Sequence, residues 1–349
     1  MNTQAPTQHD ILLAETGPAT LTKVMGELDS LVASGETERF RPLPTGFSPL
    51  DEVMSGGIRR GELMIFGGQY GVGKTIFGLQ VARNVVRNDP NAKAMVICYE
   101  HDRVHLLMRL LCLESAEMLN NQSALTLRQL SRMMTRSTDG VGLLHHLRNM
   151  PTYKPVVDVI ESYAERLVLV KASGATSDIM RIGEWMKEAV PTDEAHHFLV
   201  VVDYLQKIPV NTSRLSPELE ITTYLAQSLK EFAMSLNIPI LAVAASDRDG
   251  LKSKRMRLND LRGSSALQYE ADIGIILSNK HKIVSREHLV YNLVSAEKMR
   301  NWVVFSIEKN RAGRNAIDLE FALDAAHFRF VTKGNFVRDR LIDEKVTLE

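Results

Sequence analysis

The chain has 349 residues, of which 44% are hydrophobic and 24% are charged. These values are typical of an ordinary globular protein, and the length allows one large domain with a small appendage or two modest domains. Lys plus Arg and Asp plus Glu both number 42. This balance excludes a globally basic surface, so any contact with nucleic acid would have to be local.

The compartment is predicted from cysteine usage and from the lack of long apolar runs. Cys98 and Cys112 both lie in apolar stretches, and we expect reduced core thiols. No apolar run reaches the length of a membrane span, and the first ten residues lack the basic-then-apolar order of a signal peptide. We therefore expect a cytoplasmic protein without a membrane partner.

The N-terminal region is predicted to contain one helix. Residues 1–18 are polar with scattered Pro and Gly, and we expect them to be mobile. In 19–34, apolar residues recur at spacings of three and four, and Gly35 follows as a stop signal. This pattern predicts an amphipathic linker helix. Since a short isolated helix is marginal in water, it packs either on its own domain or on a neighbouring subunit.

From Leu63 onward, short apolar runs alternate with helical patterns, which is typical of an α/β fold with a mainly parallel central sheet flanked by helices. A hairpin is predicted in "DLEFALDAAHFRFVT", and a helical insertion in 115–160. The main domain is predicted over 44–333, followed by a C-terminal tail of 334–349. The strand candidates are LMIFG, AMVICYE, RLVLVKA, HFLVVVD, PILAVAA, DIGIILS and VVFSIEK.

The stretch "GGQYGVGKT" fits the phosphate-binding pattern G-x-x-x-x-G-K-[ST]. Glycines let backbone N–H groups converge on phosphates, a lysine reaches the β and γ oxygens, and a hydroxyl ligates Mg²⁺. An apolar strand precedes the stretch and a helical pattern follows it, as the motif requires. The sequence therefore predicts ATP and Mg²⁺ as cofactors, bound by Gly68, Gly71, Gly73, Lys74 and Thr75.

Two carboxylates complete the predicted nucleotide site. Asp203 ends the run "HFLVVVD" and is the candidate second magnesium ligand, although an aspartate in this position is often only a turn or helix cap. Glu100 ends "AMVICYE" and is the candidate base that orients the attacking water. Because parallel strand ends meet in one crevice, these side chains are expected to lie together with Lys74.

Other polar clusters are weaker signals. The adjacent histidine pairs at 145–146 and 196–197 lack metal-ligand spacing, and His101 either tunes Glu100 or packs against the sheet. The segment "SDRDGLKSKRMRLND" contains Arg255 and Arg257 together with Arg248, Lys252 and Lys254. Such a cluster either lines a nucleic-acid channel or is an exposed basic loop without a ligand.

Several blocks occur in an order that resembles one family over residues 44–330. They are "TGFSPLD", "YEHD", "VVVDYLQKI", "LNDLRGSSALQYEADI" and "IEKNRAG". The chain resembles the RecA-like P-loop ATPase domain at the C-terminus of DnaB-type replicative helicases. The resemblance implies a homo-oligomer, either a hexameric ring or a helical filament, that hydrolyses ATP between subunits and translocates on single-stranded DNA. A protein loading partner is a further expectation.

The resemblance also implies roles for individual residues. Glu100 corresponds to the catalytic glutamate and Asp203 to the magnesium-binding aspartate. Lys309 and Arg311 in "EKNRAG" resemble the basic finger that enters the ATP site of the neighbouring subunit, although the run by itself would indicate only a solvated charge cluster. Arg262 and Ser264 in "DLRGSS" fall where the family contacts the DNA backbone.

The chain departs from the family pattern at three places. Ala245 stands where a glutamine senses the γ-phosphate, and "DLRGSS" replaces "DLRESG". Before the motor there is room only for the linker helix, which favours docking on a neighbouring subunit. The branch of RadA-type recombination ATPases shares a "KNR-x-G" motif but carries a four-cysteine zinc module, whereas this chain has two cysteines.

Three functions are compatible with these patterns. The first is an ATP-driven translocase or 5′-to-3′ helicase on single-stranded DNA. The second is a non-helicase switch in which hydrolysis assembles or remodels a protein partner. The third, a metabolic kinase, is disfavoured because the finger motif implies a site shared between subunits.

Overall fold

A computed structural model describes residues 17–120, 122–136, 140–191, 196–210, 218–246, 253, 255–284, 297 and 299–342. Most of the N-terminal segment expected to be mobile lies outside these residues. The described strands are β1 (Leu63–Gly68), β2 (Ala92–Cys98), β3 (Leu167–Lys171), β4 (His197–Asp203), β5 (Ile240–Ala244), β6 (Ile273–Asn279), β7 (Trp302–Asn310), β8 (Ile317–Asp324), β9 (Arg329–Phe330) and β10 (Asn335–Phe336).

These strands form one sheet in the order β10-β8-β7-β6-β1-β5-β4-β2-β3, and β9 pairs with β8. Every pairing among β1 to β6 is parallel, whereas β7, β8, β9 and β10 join by antiparallel pairing. Strands β1, β4 and β5 are buried along their whole length, which explains their near-continuous apolar sequences. The predicted mainly parallel sheet and the closing hairpin are confirmed.

The described helices are α1 (Leu21–Ser34), α2 (Leu50–Val53), α3 (Lys74–Asn88), α4 (Arg103–Met118), α5 (Leu127–Arg136), α6 (Leu143–Asn149), α7 (Lys154–Tyr163), α8 (Ile179–Ala189), α9 (Glu218–Ser235), α10 (Ser264–Glu270) and α11 (Lys280–Ile283). The end of α4 and helices α5, α6 and α7 occupy the helical insertion expected over 115–160, between β2 and β3. In the part of the chain that the structure describes, no helix is long and apolar enough to cross a membrane.

Helix α1 has clear boundaries but no apolar partner in the described part of this chain. The Thr20 hydroxyl accepts from the Lys23 N–H at its start, and Gly35 ends it in the left-handed conformation. None of its residues is buried, and its apolar side chains are 46–75% exposed at Leu21, Val24, Met25, Leu28 and Val32. The amphipathic helix is therefore formed, but its apolar face is uncovered.

Two hydrophobic clusters cover the two faces of the sheet. One joins α3, α4 and the insertion helices to one face, with edge-to-face aromatic contacts among Phe47, Phe66 and Phe77. The other joins α8, α9 and α10 to the opposite face. Both cysteines are buried free thiols, as expected from the sequence.

A buried ionic cluster fixes α3, the helix that follows the phosphate-binding loop. Arg83 on α3 donates from Nε and Nη2 to the two carboxylate oxygens of Glu114 on α4, both at 2.7 Å. Glu114 is fully buried and also accepts from Arg87 and from the hydroxyl of Tyr163 on α7. Since every oxygen of this carboxylate has a donor, the cluster locks three helices together.

Removal of the Glu114 carboxylate should be strongly destabilising. We expect Glu114→Ala to lower the free energy of unfolding by about 3–5 kcal/mol, because the Arg83 charge would remain buried without its main partner. Glu117→Ala is the matched control, since Glu117 pairs with the same arginine but its side chain is 23% exposed. Urea unfolding of both variants measures the difference. Equal losses would contradict a central role for Glu114.

Candidate functional site

The loop between β1 and α3 has the backbone shape that phosphate binding requires. Gly68, Gly71 and Gly73 adopt φ angles of 151°, 77° and 88°, which L side chains rarely adopt. Helix α3 begins directly after this loop, so its unpaired amide groups and partial positive charge face the loop. The loop therefore forms a concavity suited to an anion such as phosphate.

The side chain of Lys74 lies inside this loop. Its Nζ donates to the carbonyl oxygens of Gly68 at 2.8 Å and Gln69 at 2.9 Å. Burial lowers the pKa of Lys74, while the nearby carboxylates of Asp203 and Glu100 oppose that fall. The ammonium group is thus held by neutral carbonyls, and a charged phosphate oxygen would compete with them for its protons.

Thr75 and Asp203 form the pair of oxygen groups expected of a magnesium site. The Asp203 carboxylate is 3% exposed at the end of β4, and the Thr75 hydroxyl lies near it in the same cleft. Burial raises the pKa of Asp203 to about 6; Glu100 adds to the rise, and the nearby Thr75 hydroxyl opposes it. A hydroxyl and a carboxylate are ligands that a hard divalent cation prefers, so these residues fit Mg²⁺.

A cleft of about 450 Å³ opens over these groups, and Lys74, Thr75, Asp203 and Glu100 all line it. Strands β2 and β4 are paired so that Cys98 lies opposite Asp203. Glu100 follows two residues later and is exposed to solvent. The parallel arrangement thus brings the four predicted side chains together at one edge of the sheet, as expected from their positions after strands.

Arg109 is a cleft residue that the sequence patterns did not single out. It lies on α4, nine positions after Glu100, and lines the same cleft. Its guanidinium lies 4.9 Å from the ring centroid of Phe328, and its Nη2 is 2.9 Å from Nε2 of His101. Burial lowers the pKa of His101 to about 4, with Arg109 adding to the effect, so this ring is neutral near pH 7.

A sequence signal for Arg109 existed. An arginine between Met108 and Leu110 interrupts an otherwise apolar helical run, and a charge among buried neighbours needs a reason. The structure supplies one, since the guanidinium is a second positive group of the cleft besides Lys74. Burial lowers the pKa of Arg109, and the nearby Asp203 and Glu100 carboxylates oppose this effect.

Lys309 and Arg311 lie away from this cleft. They lie at the end of β7, beside the start of β6, which is the opposite end of the parallel strands. Lys309 Nζ donates to the carbonyl oxygens of Gln268 and Tyr269 at the end of α10. Arg311 donates to the Tyr269 carbonyl at 2.9 Å and to Asp272 at 3.1 Å. Both side chains therefore rest on their own chain, and the Arg311 side chain is 53% exposed.

The "DLRGSS" segment lies beside the cleft. The Arg262 N–H donates to the carbonyl of Ala245 at 3.0 Å, and Ala245 lines the cleft. Gly263 has a φ of 76°, and a Cβ atom there would lie 2.3 Å from Cγ2 of Thr222 on α9. An acidic side chain at position 263 would therefore collide with α9 unless the helix moved.

The basic segment divides into parts with different surroundings. Arg255 is 8% exposed and donates from Nη2 to both oxygens of Asp318, at 2.7 and 2.8 Å, so this geometry does not favour it as a DNA contact. Arg257 donates to Glu308 at 2.8 Å and remains partly exposed. The expected contributions of Arg248, Lys252 and Lys254, and of the Ser264 side chain, fall outside the described part of the chain.

The raised pKa of Asp203 predicts a pH-dependent stability. Its folded-state pKa of about 6 exceeds the ordinary 3.8. Between these pH values Asp203 is protonated in the folded protein but ionised in the unfolded chain. The free energy of unfolding therefore falls as the pH rises through this range to about 6. In metal-free and nucleotide-free buffer, Asp203→Asn should therefore raise the free energy of unfolding by about 2–3 kcal/mol near pH 8, and by much less near pH 4.

Urea unfolding at both pH values checks this expectation. Asp158→Asn is the control, because Asp158 lies exposed on α7 in a pair with Lys154, and it should show no such gain. A gain of equal size at both pH values, or none near pH 8, would rule out a desolvated carboxylate at position 203.

Comparison with known proteins shows which family this sequence matches. The model of the family described as DnaB-like helicase C terminal domain matches residues 42–330. The replicative DNA helicase DnaB of Geobacillus stearothermophilus is 27% identical over 233 residues, which is 66% of this chain and 46% of the relative. DnaB of Mycoplasma pneumoniae is 27% identical over 297 residues, 82% of this chain and 56% of the relative. The chain thus spans about half the length of these curated relatives.

Solved structures agree on the fold. A DnaB-like replicative helicase gives a TM-score of 0.65 at 18% identity, covering 90% of this chain and 67% of that one. A solved ATPase domain gives 0.69 at 18% identity, covering 90% of this chain and 99% of that one. At this identity the likeness concerns the fold, which is RecA-like. With the family match over most of its length, the chain belongs to the DnaB-like helicase C-terminal domain family.

Proposed function

We propose that this protein is an ATP-hydrolysing motor of the 5′-to-3′ DNA helicase class that assembles as a homo-oligomer and translocates on single-stranded DNA. One observation carries the proposal. The phosphate-binding loop, Asp203 and Glu100 share one cleft at the carboxyl ends of the parallel strands. Lys309 and Arg311 lie at the opposite end of these strands, where β7 ends beside the start of β6. Within one chain, the cleft and the finger residues are thus too far apart to form a single site.

The register of the strands supports this separation. Arg311 follows β7, whose Asn310 lies opposite Ile273 at the start of β6. The phosphate-binding loop follows Gly68, which lies opposite Leu277 farther along β6. Four residues of strand separate the two levels by about 13 Å, which exceeds the reach of a side chain bound at the far edge. The finger residues therefore serve a second copy of the chain.

The cleft residues define how nucleotide would be held. The loop amides and Lys74 bind the phosphates, and Thr75 with Asp203 holds the magnesium ion. When bound, the ion neutralises charge on the β and γ oxygens. Glu100, exposed at the cleft, orients the attacking water and accepts its proton. Arg109 supplies further positive charge to the cleft from the same chain.

Helix α1 is the proposed contact with a neighbouring copy. Its apolar side chains are exposed, with Leu21 at 75% and Met25 at 59%. Exposure of this apolar face to water is unfavourable, and an isolated four-turn helix is only marginally stable. Burial against the next subunit would remove the face from solvent. The oligomer is either a hexameric ring or a helical filament.

Single-stranded DNA is the proposed track, and the "DLRGSS" segment is the proposed contact. Arg262 lies next to the cleft, so a phosphate bound there would lie close to the nucleotide site. Arg257, which is partly exposed, and Ser264 are the other proposed contacts. Arg255 is better described as a structural residue that holds β7 and β8 through Asp318.

DNA should stimulate hydrolysis if this function is correct. We expect the ATPase rate to rise at least severalfold with single-stranded DNA and the stimulation to fade with added salt, because phosphate contacts release counterions. Steady-state turnover with and without an oligothymidylate across a salt series measures this. Lys74→Ala supplies the background, since it removes the group that binds the β and γ phosphates and should abolish turnover.

The alternative function gives a different result. Ala245 lines the cleft but offers no side-chain donor to a γ-phosphate, which favours a switch that acts on a protein partner. In that case turnover would not respond to DNA and would rise with protein concentration as the chains assemble. Turnover that persists in Lys74→Ala would contradict the nucleotide site itself.

Mixed oligomers test the shared site. Arg311→Ala and Glu100→Gln should each reduce turnover strongly, by about 10³-fold or more for the finger residue. In an equal mixture, about a quarter of the sites pair an intact Glu100 with an intact Arg311 from the next subunit, if subunits assemble head to tail at random. The mixture should therefore recover up to about a quarter of wild-type turnover. A mixture no more active than the two variants assayed separately would exclude a finger in trans.

A further inference from the structure

Gln206 connects the edge of the nucleotide cleft to the Arg262 loop. It lies in the short helical turn Leu205–Lys207, three residues after Asp203. Its side-chain Oε1 accepts from the N–H of Ala245 at 2.8 Å, and its Nε2 donates to the carbonyl of Arg262 at 3.2 Å. One side-chain amide thus bonds to the main chain of a cleft residue and of a proposed DNA contact.

The two segments pair like antiparallel strands in which this amide replaces one bond. Ser246 and Leu261 form an antiparallel bridge, and the Arg262 N–H donates directly to the Ala245 carbonyl at 3.0 Å. The reverse bond, from the Ala245 N–H to the Arg262 carbonyl, runs through Gln206 instead. Only a side chain that donates and accepts at once can fill this place, which is the property of an amide.

The same segment reaches the phosphate-binding loop. The Ser246 hydroxyl donates at 3.0 Å to the Gly68 carbonyl, the oxygen that also accepts from Lys74 at 2.8 Å. The Leu261 side chain covers Gly67 so closely that a Cβ atom there would lie 2.2 Å from Cδ2 of the leucine. A phosphate that draws Lys74 away would therefore change a carbonyl shared with the segment that Gln206 holds.

We propose that Gln206 is a positioning residue that couples the nucleotide cleft to the Arg262 loop, in place of the side-chain donor that Ala245 lacks. The proposal rests on the proposed function in taking Arg262 as the DNA contact. The path runs from Lys74 through the Gly68 carbonyl to Ser246, and from Ala245 through Gln206 to Arg262. Gln206 itself does not line the cleft.

Two substitutions separate the two arms of the amide. Gln206→Glu keeps the acceptor for the Ala245 N–H but loses the donor to Arg262, whereas Gln206→Met keeps the length and loses both. Gln129→Met is the matched control, because Gln129 on α5 likewise accepts from a main-chain N–H, that of Thr126, at 2.7 Å. It does so on the other face of the sheet, away from the loop.

Hydrogen exchange of residues 258–263 with and without a non-hydrolysable ATP analogue is the first readout, and it needs no DNA. In the wild type and in Gln129→Met, the analogue should change the exchange rate of this segment at least severalfold. Both Gln206 variants should lose most of that change while their affinity for the analogue and their basal ATPase rate stay within about twofold. The ratio of ATPase rates with and without oligothymidylate is the second readout, and it should fall toward one in both variants.

The outcomes distinguish this inference from the proposed function. If the analogue changes exchange in the wild type and both Gln206 variants lose that change, but DNA never stimulates turnover, the motor proposal fails and the coupling through Gln206 stands. If the analogue leaves residues 258–263 of the wild type unchanged, the coupling is refuted. The coupling is refuted equally if both Gln206 variants retain the wild-type response, whatever DNA does.

Discussion

The structure around the cleft depends on charged groups that are buried at the carboxyl ends of the parallel strands, where burial costs free energy. Lys74 and Asp203 both lie largely out of water, and burial shifts the pKa of each toward its neutral form. Such groups persist only where partners are fixed in advance, and the sheet supplies them: main-chain carbonyls for the ammonium, and the Thr75 hydroxyl for the carboxylate. The cleft is therefore arranged around charges whose best partners are a phosphate and a metal ion.

Hydrogen bonds behind the cleft fix the helix that follows the phosphate-binding loop. Helix α3 begins at the cleft and would transmit any movement into the loop, but Arg83 and Glu114 fix it to α4 and α7. The Gln80 side chain also exchanges two hydrogen bonds with the main chain of Phe330 on β9. Preorganisation of this kind keeps the donors in place before the ligand arrives, so little reorganisation is needed on binding.

The sequence predicted what local patterns encode. The strand runs, the phosphate-binding glycines and the helix over 19–34 all arise from spacing and residue type within one segment. The meeting of Glu100 with Asp203 in one cleft was also predictable, because adjacent parallel strands end at the same edge. The family resemblance recognised from ordered motifs is confirmed by the match over residues 42–330.

What the sequence did not reveal depends on contacts between distant residues. The partly buried pair of Arg255 with Asp318 joins positions 63 apart, so a basic segment that resembles a nucleic-acid surface contains a structural ion pair. At position 263, the close approach of Thr222 from another helix leaves no room for a Cβ atom. No periodicity or motif encodes such pairs, and they become visible only when the sheet order brings the segments together.

The short helix α10 links the Arg262 loop to the segment that holds Lys309 and Arg311. Its first residue follows Gly263 in the Arg262 loop, and the carbonyls at its end hold Lys309 and Arg311. Seven residues of helix span about 10 Å and bend little. In the proposed oligomer, the proposed DNA-contact loop and the proposed finger residues therefore adjoin the two ends of one short helix.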